Sequence, residues 1–415
     1  MPIKKKQRWL TFLSFFIILN TLFFYGFIRD GTWLAIAVLL VPICYKMSRV
    51  NFFLSSLSFL FVTLILIWIV DYGFTNFFFW RPFDLLITRD ATGLPIYKKN
   101  RVVNMVQPTG DLRPATNVYD GLQYEPRDMI FKTDSLGFRN NSDYMGQSFV
   151  LVGDSFIAGT ENTQEDTLSF VLKKKYQAKT YSMGVAGASI DDYAVYTQKL
   201  ENLNSGSFKV LIFVYEGNDF PVAQDKKISK LKKIKKLYKK PINAYKSFFR
   251  ETGFYRFTWT AYKSLISHYK NEKRSGRQIR RIGNHSVGFA NDELTVSGEK
   301  EYIPHPILEK SLKSIKDKIS HMYFIPTKYR IYYPLIEGRD KEPLPNANWK
   351  AFSSIAKKLE IPVTNLTPVF IQEAKKHFFR NEQFIFWKDG NHWNVKGISI
   401  AAQVVCQTVQ RLGCT

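Results

Sequence analysis

The sequence predicts an α/β protein, a three-layer α/β/α sandwich in which a central parallel sheet of about five strands is covered by helices on both faces. Two observations support this prediction. Short apolar runs rich in β-branched residues alternate along the chain with segments of helical periodicity. Glycine and polar residues follow the ends of several of these runs, and the carboxyl ends of parallel strands are where ligands collect.

Each expected element has its own signal in the chain. The expected strands are the apolar runs at residues 149–152, 180–183, 210–215, 321–325 and 361–366. Helices are expected at residues 167–172, 308–319 and 349–359, and a further apolar helix opens at residues 397–402. Strands and helices alternate on both sides of a long middle segment, which indicates that this segment is inserted into the α/β domain.

The N-terminal region contains three aromatic-rich apolar runs, residues 9–28, 32–45 and 52–70. A helix needs roughly 20 apolar residues to cross a bilayer, so we expect three transmembrane helices, the middle one being the shortest. A cleaved signal peptide has a single apolar core, which does not fit this pattern. Basic residues in segments 4–8 and 46–49 place both segments in the cytoplasm and the rest of the chain outside. If only two runs cross, the large domain is cytoplasmic instead.

The chain is therefore expected to have five parts. They are a membrane anchor (1–75), an extracytoplasmic lead-in (76–145), the first half of the α/β domain (146–222), a basic, aromatic, helical insertion (223–306) and the second half of the domain (307–415).

The formal net charge is +24, and nine lysines lie between residues 226 and 240 with apolar residues at helical spacing. Such a helix suits anionic lipid headgroups or an anionic glycan. Nucleic acid is not expected as a partner, because an extracytoplasmic domain rarely meets it.

A second helix is expected in the insertion, because tyrosine, tryptophan and isoleucine recur at helical spacing over residues 255–269. This stripe either packs against the sheet or forms a lid or interfacial belt.

The cysteines give less information. Cys406 and Cys414 are eight positions apart, which on a continuous helix is about 12 Å and too far for a disulfide. A bridge would require Gly413 to end the helix and turn the chain back.

The candidate functional residues begin at Ser155, which directly follows the first expected strand in the run Gly153-Asp154-Ser155. The second strand ends in a small-residue loop that contains Gly187, where backbone N–H groups are free to donate. Asn218 follows the third strand. It is either a turn residue or a donor that stabilises an oxyanion.

Near the C-terminus, Asp389 and His392 are three residues apart across a turn. This spacing allows a carboxylate to accept the hydrogen bond of Nδ1, so that Nε2 can take a proton from a serine. The same pair could be half of a metal site or a helix cap. Zinc is disfavoured, because the other histidines form no pair at metal-ligand spacing.

These residues occur in the order of the four sequence blocks of the SGNH (GDSL-like) hydrolase superfamily, which the chain resembles over roughly residues 132–220 and 309–405. The resemblance implies a flavodoxin-like fold and no cofactor. It also implies roles for individual residues: Ser155 as nucleophile, His392 as general base and acid, Asp389 as the group that orients His392, and Ser155 N–H, Gly187 N–H and the Asn218 amide as the oxyanion hole. Gly184 is the alternative glycine donor.

Segments 135–139 and 324–328, Tyr332 and the segment 392–394 resemble the membrane-linked, polysaccharide-acting branch of this superfamily. Four further residues near the blocks are candidates for substrate binding: Arg139, Asp154, Asp219 and Trp393. From residue type alone, Arg139 is a surface charge more readily than a clamp on a carboxylate or phosphate.

The sequence thus predicts a membrane-anchored serine esterase or O-acyltransferase. It would remove or transfer small acyl groups, acetyl above all, on a cell-envelope polysaccharide through an acyl-serine intermediate. The expected location is the bacterial inner membrane with the catalytic domain in the periplasm, and the expected partners are an acylated glycan or small ester and a separate membrane protein that supplies the acyl donor. The alternatives are a catalytically silent glycan-binding scaffold and a lipase or lysophospholipase.

Overall fold

The computed structural model describes residues 61, 86–90, 92–112, 121–203, 207–220, 277–339, 342–409 and 414. The chain divides into two compact units, Met1–Phe74 and Thr75–Thr415, and all of these residues except Phe61 belong to the second unit. Apart from Phe61, the three predicted membrane helices lie outside the described residues, as do the lysine-rich segment and the aromatic stripe at 255–269. Within the described ranges, no helix is long and apolar enough to cross a bilayer.

The first half of the described region runs from two small hairpins into the sheet. Its strands are β1 (Ile87–Arg89), β2 (Pro95–Tyr97), β3 (Val102–Gln107), β4 (Arg127–Lys132), β5 (Phe149–Gly153), β6 (Thr180–Gly184) and β7 (Lys209–Tyr215). Its α-helices are α1 (Ser155–Ala158), α2 (Leu168–Tyr176) and α3 (Ile190–Leu203). The predicted lead-in is thus built around two antiparallel pairs, β1 with β2 and β3 with β4.

The second half begins with a third hairpin and completes the sheet. Its strands are β8 (Arg277–Ile282), β9 (His285–Ala290), β10 (Ile319–Ile325) and β11 (Val363–Asn365). Its α-helices are α4 (Asn291–Gly298), α5 (Pro306–Ser314), α6 (Lys328–Tyr332), α7 (Ala347–Lys358), α8 (Thr367–Asn381) and α9 (Val395–Thr408). Short 3-10 turns lie at Gln164–Asp166, Lys316–Lys318 and Tyr333–Leu335.

The protein has an α/β fold with a five-stranded parallel sheet in the order β11-β10-β7-β5-β6. All five expected strands are confirmed as members of this sheet, and the four expected helices are confirmed as α2, α5, α7 and α9. Helices α3 and α8 were not predicted from the sequence. Helix α8 buries only Phe370 and Ala374, so its apolar stripe is sparse.

Side chains of β5 alternate between two buried clusters, because successive residues of a strand point to opposite faces of the sheet. Val150 and Val152 belong to one cluster, which α3, α5 and α7 complete. Phe149 and Leu151 belong to the other, which α2, α8 and α9 complete. The strands are therefore buried on both faces, which explains their continuous apolar sequence.

The described part of the predicted insertion differs from expectation, because it is a β-hairpin followed by α4 rather than helices alone. Strands β8 and β9 are joined by a tight turn in which Gly283 has φ +55°. Ile282, Val287 and Phe289 are buried in the same cluster as Phe149 and Leu151 of β5. This hairpin is thus part of the domain core and not an appendage to it.

Cys406 and Cys414 form a disulfide with a Cα–Cα distance of 5.7 Å. A continuous helix between the two cysteines would have kept them too far apart to pair. Helix α9 ends at Thr408, so the distance along a helix does not apply.

Candidate active site

Ser155 lies at the carboxyl end of β5, where that strand ends and α1 begins. The Asp154 carboxylate caps this short helix by accepting a hydrogen bond from Phe156 N at 3.0 Å. At Gly153 a Cβ atom would lie 2.5 Å from Ile157 Cγ1, so the turn from strand to helix requires a residue without a side chain. The local sequence therefore places the Ser155 hydroxyl at the edge of the sheet.

His392 reaches Ser155 from the loop between α8 and α9. Its Nε2 lies 2.8 Å from Ser155 Oγ, a normal hydrogen-bond distance. The loop is shaped by an isolated bridge between Phe386 and Trp393. The nucleophile and base that the sequence predicted are thus within direct reach of one another.

The carboxylate at the other ring nitrogen is Glu161 and not Asp389. Glu161 Oε2 lies 3.2 Å from His392 Nδ1, and Asp111 Oδ2 lies 3.5 Å from the same atom. The prediction that Asp389 orients His392 is wrong for a definite reason, because both of its carboxylate oxygens are engaged elsewhere. Oδ1 pairs with Arg127 Nη2 at 2.6 Å, and Oδ2 accepts from the backbone N–H groups of residues 110 and 125.

Glu161 is held in place from two sides. Its side chain is fully buried, and its Oε1 accepts a hydrogen bond from Asp111 N at 2.5 Å. At Gly390 a Cβ atom would lie 2.1 Å from Glu161 Oε2. A glycine is therefore required at position 390 for the carboxylate to approach His392. From the sequence, Glu161 is only part of an acidic loop, because no spacing rule connects it to His392.

Asp389 binds the backbone of the segment that contains Asp111. Besides the Gly110 and Glu125 N–H groups, which bind its side chain, its backbone oxygen accepts from Leu112 N at 3.1 Å. Asp111 in turn accepts a hydrogen bond from Asn391 N at 2.8 Å. Asp389 thus braces the segment that presents Asp111 to the imidazole, which makes it a positioning residue.

The carboxylates set the charge of the His392 imidazole. Burial by itself lowers the pKa of His392, but the Asp111 charge and the hydrogen bond with Glu161 outweigh burial and raise that pKa above its usual value. Burial raises the pKa of the Glu161 carboxyl, yet its hydrogen bond with His392 dominates and lowers it. Glu161 therefore stays ionised at neutral pH, and its charge favours the protonated form of the adjacent imidazole.

Ser155, His392, Gly187 and Asn218 line one cleft of about 200 Å³. Gly187 has φ +76°, and a Cβ atom there would meet no neighbour within 4 Å, so its backbone faces open space. The alternative donor, Gly184, instead packs so closely that a Cβ atom would lie 2.2 Å from Ala158 N. The structure thus brings together the predicted oxyanion donors Ser155, Gly187 and Asn218, and it favours Gly187 over Gly184.

Arg139 is neither a surface charge nor a substrate clamp. It is 1% exposed and donates to the Gln164 side chain and to the backbone oxygens of residues 130, 158, 159 and 162. Burial lowers the pKa of its guanidinium to about 9. Arg139 therefore fixes the loop that follows Ser155 and contains Glu161, and the prediction that it binds substrate is wrong.

The other three candidates for substrate binding are also buried and are not among the described residues that line the cleft. Asp154 caps α1, as described above. Asp219 accepts hydrogen bonds from Tyr193 Oη at 2.8 Å and Tyr215 N at 2.9 Å. Trp393 is 1% exposed and packs against Phe156 with ring centroids 4.8 Å apart. All three side chains pack in the protein interior next to the cleft and do not line it.

Lys328, noted in the sequence only as part of a resemblance, organises the His392 loop. Its buried Nζ donates to the backbone oxygens of Trp387, Lys388 and Gly390 at 2.8, 3.0 and 2.9 Å. A fourth acceptor is Gly288 O in the β8–β9 hairpin, at 2.7 Å. Burial lowers the pKa of this ammonium group to about 8. One side chain thus ties the hairpin to the loop that contains His392.

Asp111, Glu161 and His392 each place a potential metal-ligand atom within 4.8 Å of the other two. Two carboxylates and an imidazole are a donor set that divalent cations accept. The sequence predicts no metal, and it does not predict this cluster because Asp111 and Glu161 are distant from His392 in the chain. The 3.2 Å separation of Nδ1 and Glu161 Oε2 also fits a direct N–H···O hydrogen bond, which needs no cation.

No protein-family model matches the chain, and a search of curated proteins found no match. Any assignment of function therefore depends on the residues of the site.

Proposed function

We propose that this protein is an SGNH-type serine esterase or O-acyltransferase with a three-layer, flavodoxin-like domain. The observation that supports this most strongly is the continuous series of contacts from Ser155 Oγ through the His392 imidazole to the Glu161 carboxylate. Hydrogen-bond donors for an oxyanion, Gly187 and Asn218, line the same cleft. A nucleophile, a base, an orienting group and these donors are the set that acyl transfer requires.

The chemistry follows from these positions. His392 Nε2 takes the proton of Ser155 Oγ as the oxygen attacks the ester carbonyl, and the charge that develops on the carbonyl oxygen is met by the N–H groups of the oxyanion hole. The imidazolium then gives its proton to the departing alcohol, which leaves an acyl-serine. Attack by water completes an esterase cycle, and attack by a sugar hydroxyl completes an acyl transfer. Glu161 holds the tautomer in which Nε2 is free to accept.

We place the domain outside the cytoplasm, in the periplasm of a bacterium, tethered to the inner membrane by the N-terminal apolar runs. The positive-inside pattern of those runs supports this topology. The Cys406–Cys414 disulfide supports it as well, because such bonds persist in oxidising compartments. The substrate proposed for this location is an acylated envelope glycan, and a separate membrane protein supplies the acyl donor when the reaction is a transfer.

The cleft favours a small acyl group over a long one. Its volume is about 200 Å³, and most of its lining residues are polar, glycine or charged. A lipase or lysophospholipase needs an apolar channel for its acyl chain, so this alternative is less well supported. A silent scaffold would not require the Ser155–His392 contact.

The test uses the full-length chain in detergent. We expect it to release acetate from an aryl acetate faster than from a long-chain aryl ester, and Ser155→Ala to abolish that release. Ser354→Ala, an exposed serine on α7, is the matched control and should behave as wild type. Release that persists in a folded Ser155→Ala protein would refute the proposal, and inactive wild-type protein with an intact fold would favour the scaffold.

A further inference from the structure

The charge of the cleft is opposite to the charge of the chain. The chain has a formal net charge of +24. Of the described residues that line the cleft, Asp111, Asp292 and Glu293 have carboxyl groups and none is lysine or arginine. An anionic group that entered the cleft would therefore meet carboxyl groups, and no lysine or arginine among the described lining residues is there to pair with that anionic group.

Glu293 is the most informative of these residues. It lies in the first turn of α4, directly after the β8–β9 hairpin, and is 1% exposed. Its Oε1 accepts hydrogen bonds from Tyr215 Oη at 2.7 Å and from Lys328 N at 3.1 Å. Its Oε2 has no hydrogen-bond partner among the described residues. A buried oxygen without a partner is costly, and a hydroxyl or amine of a ligand would supply the missing bond.

Lys328 does not supply this bond, although its charge acts on the Glu293 carboxyl. The hydrogen bonds of its Nζ go to backbone oxygens of residues 288, 387, 388 and 390. Burial raises the pKa of the Glu293 carboxyl to about 7, so near neutrality this group can accept a hydrogen bond from a ligand in one form and donate one in the other. Both forms suit a sugar hydroxyl, which is itself a donor and an acceptor.

Asp292 adds to the same side of the cleft. Unlike Glu293 it is exposed, and its Oδ1 accepts a hydrogen bond from Glu293 N at 3.0 Å. Its charge is consequently fixed beside Glu293 and open to solvent. The described part of the insertion therefore contributes one buried and one exposed carboxyl group to the cleft.

We propose that Glu293 is a substrate-binding residue that hydrogen-bonds a hydroxyl or amine of the acyl acceptor, and that the carboxyl groups around it select an uncharged or amine-bearing sugar unit and reject uronate and phosphate units. This inference rests on the proposed acyl-transfer function and specifies its substrate class. In the transfer step the acceptor O–H loses its proton to His392 Nε2 while its oxygen bonds the acyl carbon. The bond from that carbon to Ser155 Oγ then breaks, and Oγ regains the proton.

The experiment measures the turnover of acetyl-Ser155 on the full-length protein, formed from 4-nitrophenyl acetate in detergent. Three trisaccharides are compared at equal concentration: cellotriose, which is neutral, triglucosamine, which has amines, and trigalacturonate, which is anionic. A bound trisaccharide either accepts the acetyl group, which mass spectrometry detects on the sugar, or slows hydrolysis by occupying the cleft. We expect the neutral and amine sugars to act at concentrations about tenfold lower than the anionic one.

The variants test whether Glu293 and Asp292 cause this selection. Glu293→Gln and Asp292→Asn should each reduce the preference over trigalacturonate several-fold, and Glu293→Gln should also raise the KM for the neutral sugar. Glu301→Gln, which removes an exposed carboxylate elsewhere, is the control and should leave the preference unchanged. Because the preference is a ratio within each variant, a general loss of stability does not alter it. Asp292 is exposed, so its variant is expected to fold even if the Glu293 variant does not.

The outcomes separate this inference from the proposed function. If no acetyl-Ser155 forms, the proposed function itself fails. If it forms but trigalacturonate acts as well as cellotriose, or if neither cellotriose nor triglucosamine has any effect, only the present inference is overturned. A preference that stays the same in both variants would also overturn it.

Discussion

Glu161 Oε2 lies 3.2 Å from Nδ1 of His392, while Nε2 of the same ring lies 2.8 Å from Ser155 Oγ. The carboxylate that completes the site therefore comes from the loop six residues after the nucleophile, and not from Asp389 three residues before the base. The two loops pack closely against each other at this point, because Gly390 has no side chain and leaves the space that the Glu161 carboxylate occupies.

Replacing Glu161 by Gln should remove most of the activity. The amide keeps the size of the side chain but no longer stabilises the imidazolium or holds its tautomer, and comparable changes in serine hydrolases lower kcat by roughly 10²- to 10⁴-fold. Steady-state hydrolysis of an aryl acetate measures the effect. Glu165→Gln, an exposed residue of the same loop, is the control. A near wild-type rate for Glu161→Gln beside an inactive but folded Asp389→Asn would restore Asp389 as the orienting group.

The pH dependence should show the raised pKa of His392. The base must be neutral to accept a proton, so the rate should rise with pH through the pKa of His392 and reach half its maximum above 6.5, the ordinary histidine value. In Glu161→Gln the residual activity should have its midpoint at lower pH, because a carboxylate that favours the charged ring has been removed. The measurement is kcat/KM against pH for both proteins. A wild-type midpoint below 6.5, or one that Glu161→Gln raises, would contradict the proposed electrostatics.

Replacing Gly390 by Ala should disrupt the site without touching a reacting group. The added methyl would lie 2.1 Å from Glu161 Oε2, so the carboxylate has to move away from the imidazole. We expect a loss of activity together with a destabilisation of about 1 to 3 kcal/mol, as for other overpacked positions. Gly298→Ala is the control, since a Cβ atom there meets nothing within 4 Å. Denaturant unfolding and aryl acetate hydrolysis measure the two effects, and full activity in Gly390→Ala would show that Glu161 is not held as described.

Replacing Lys328 by Met should destabilise the domain strongly. The change removes the donor for four buried or partly buried backbone oxygens, and a buried acceptor left without its hydrogen bond costs roughly 1 to 3 kcal/mol. Lys350→Met, an exposed lysine on α7, should change the free energy of unfolding by less than about 0.5 kcal/mol. The measurement is the midpoint of urea unfolding. Equal midpoints for the two variants would mean that Lys328 does not organise the His392 loop.

Removal of divalent cations should leave the reaction unchanged. Asp111, Glu161 and His392 could ligate a cation, but in the proposed mechanism Nδ1 of His392 donates its hydrogen to Glu161 and no metal takes part. Aryl acetate hydrolysis before and after dialysis against EDTA measures this. A loss of activity that Zn²⁺ or Mn²⁺ restores would replace the triad by a metal site.

The sheet, Ser155 and His392 could be predicted from sequence because each depends on local patterns. A buried parallel strand is a continuous apolar run, and a nucleophile or base after such a run or turn is found by reading a few residues. The oxyanion donors Gly187 and Asn218 follow the ends of β6 and β7 for the same reason.

Glu161, Asp111 and Glu293 could not be found in this way. Asp111 and His392 are far apart in the sequence, and no spacing rule connects them. Their contact depends on the hydrogen bonds that hold the Asp111 segment against Asp389 and Asn391. The burial of Arg139 could not be predicted, because it depends on hydrogen bonds to backbone oxygens of a loop whose conformation is not evident from the sequence. Short-range spacing suggested Asp389 as the partner of His392, whereas the fold assigns its carboxylate to Arg127.

The most direct test of the proposed chemistry is intact-protein and peptide mass spectrometry after a brief incubation of the full-length chain with 4-nitrophenyl acetate. We expect a single acetyl group on the peptide that contains Ser155, none on Ser155→Ala, and much slower acetylation of Glu161→Gln. Acetylation of folded protein at other residues but not at Ser155 would contradict the assignment of Ser155 as the nucleophile.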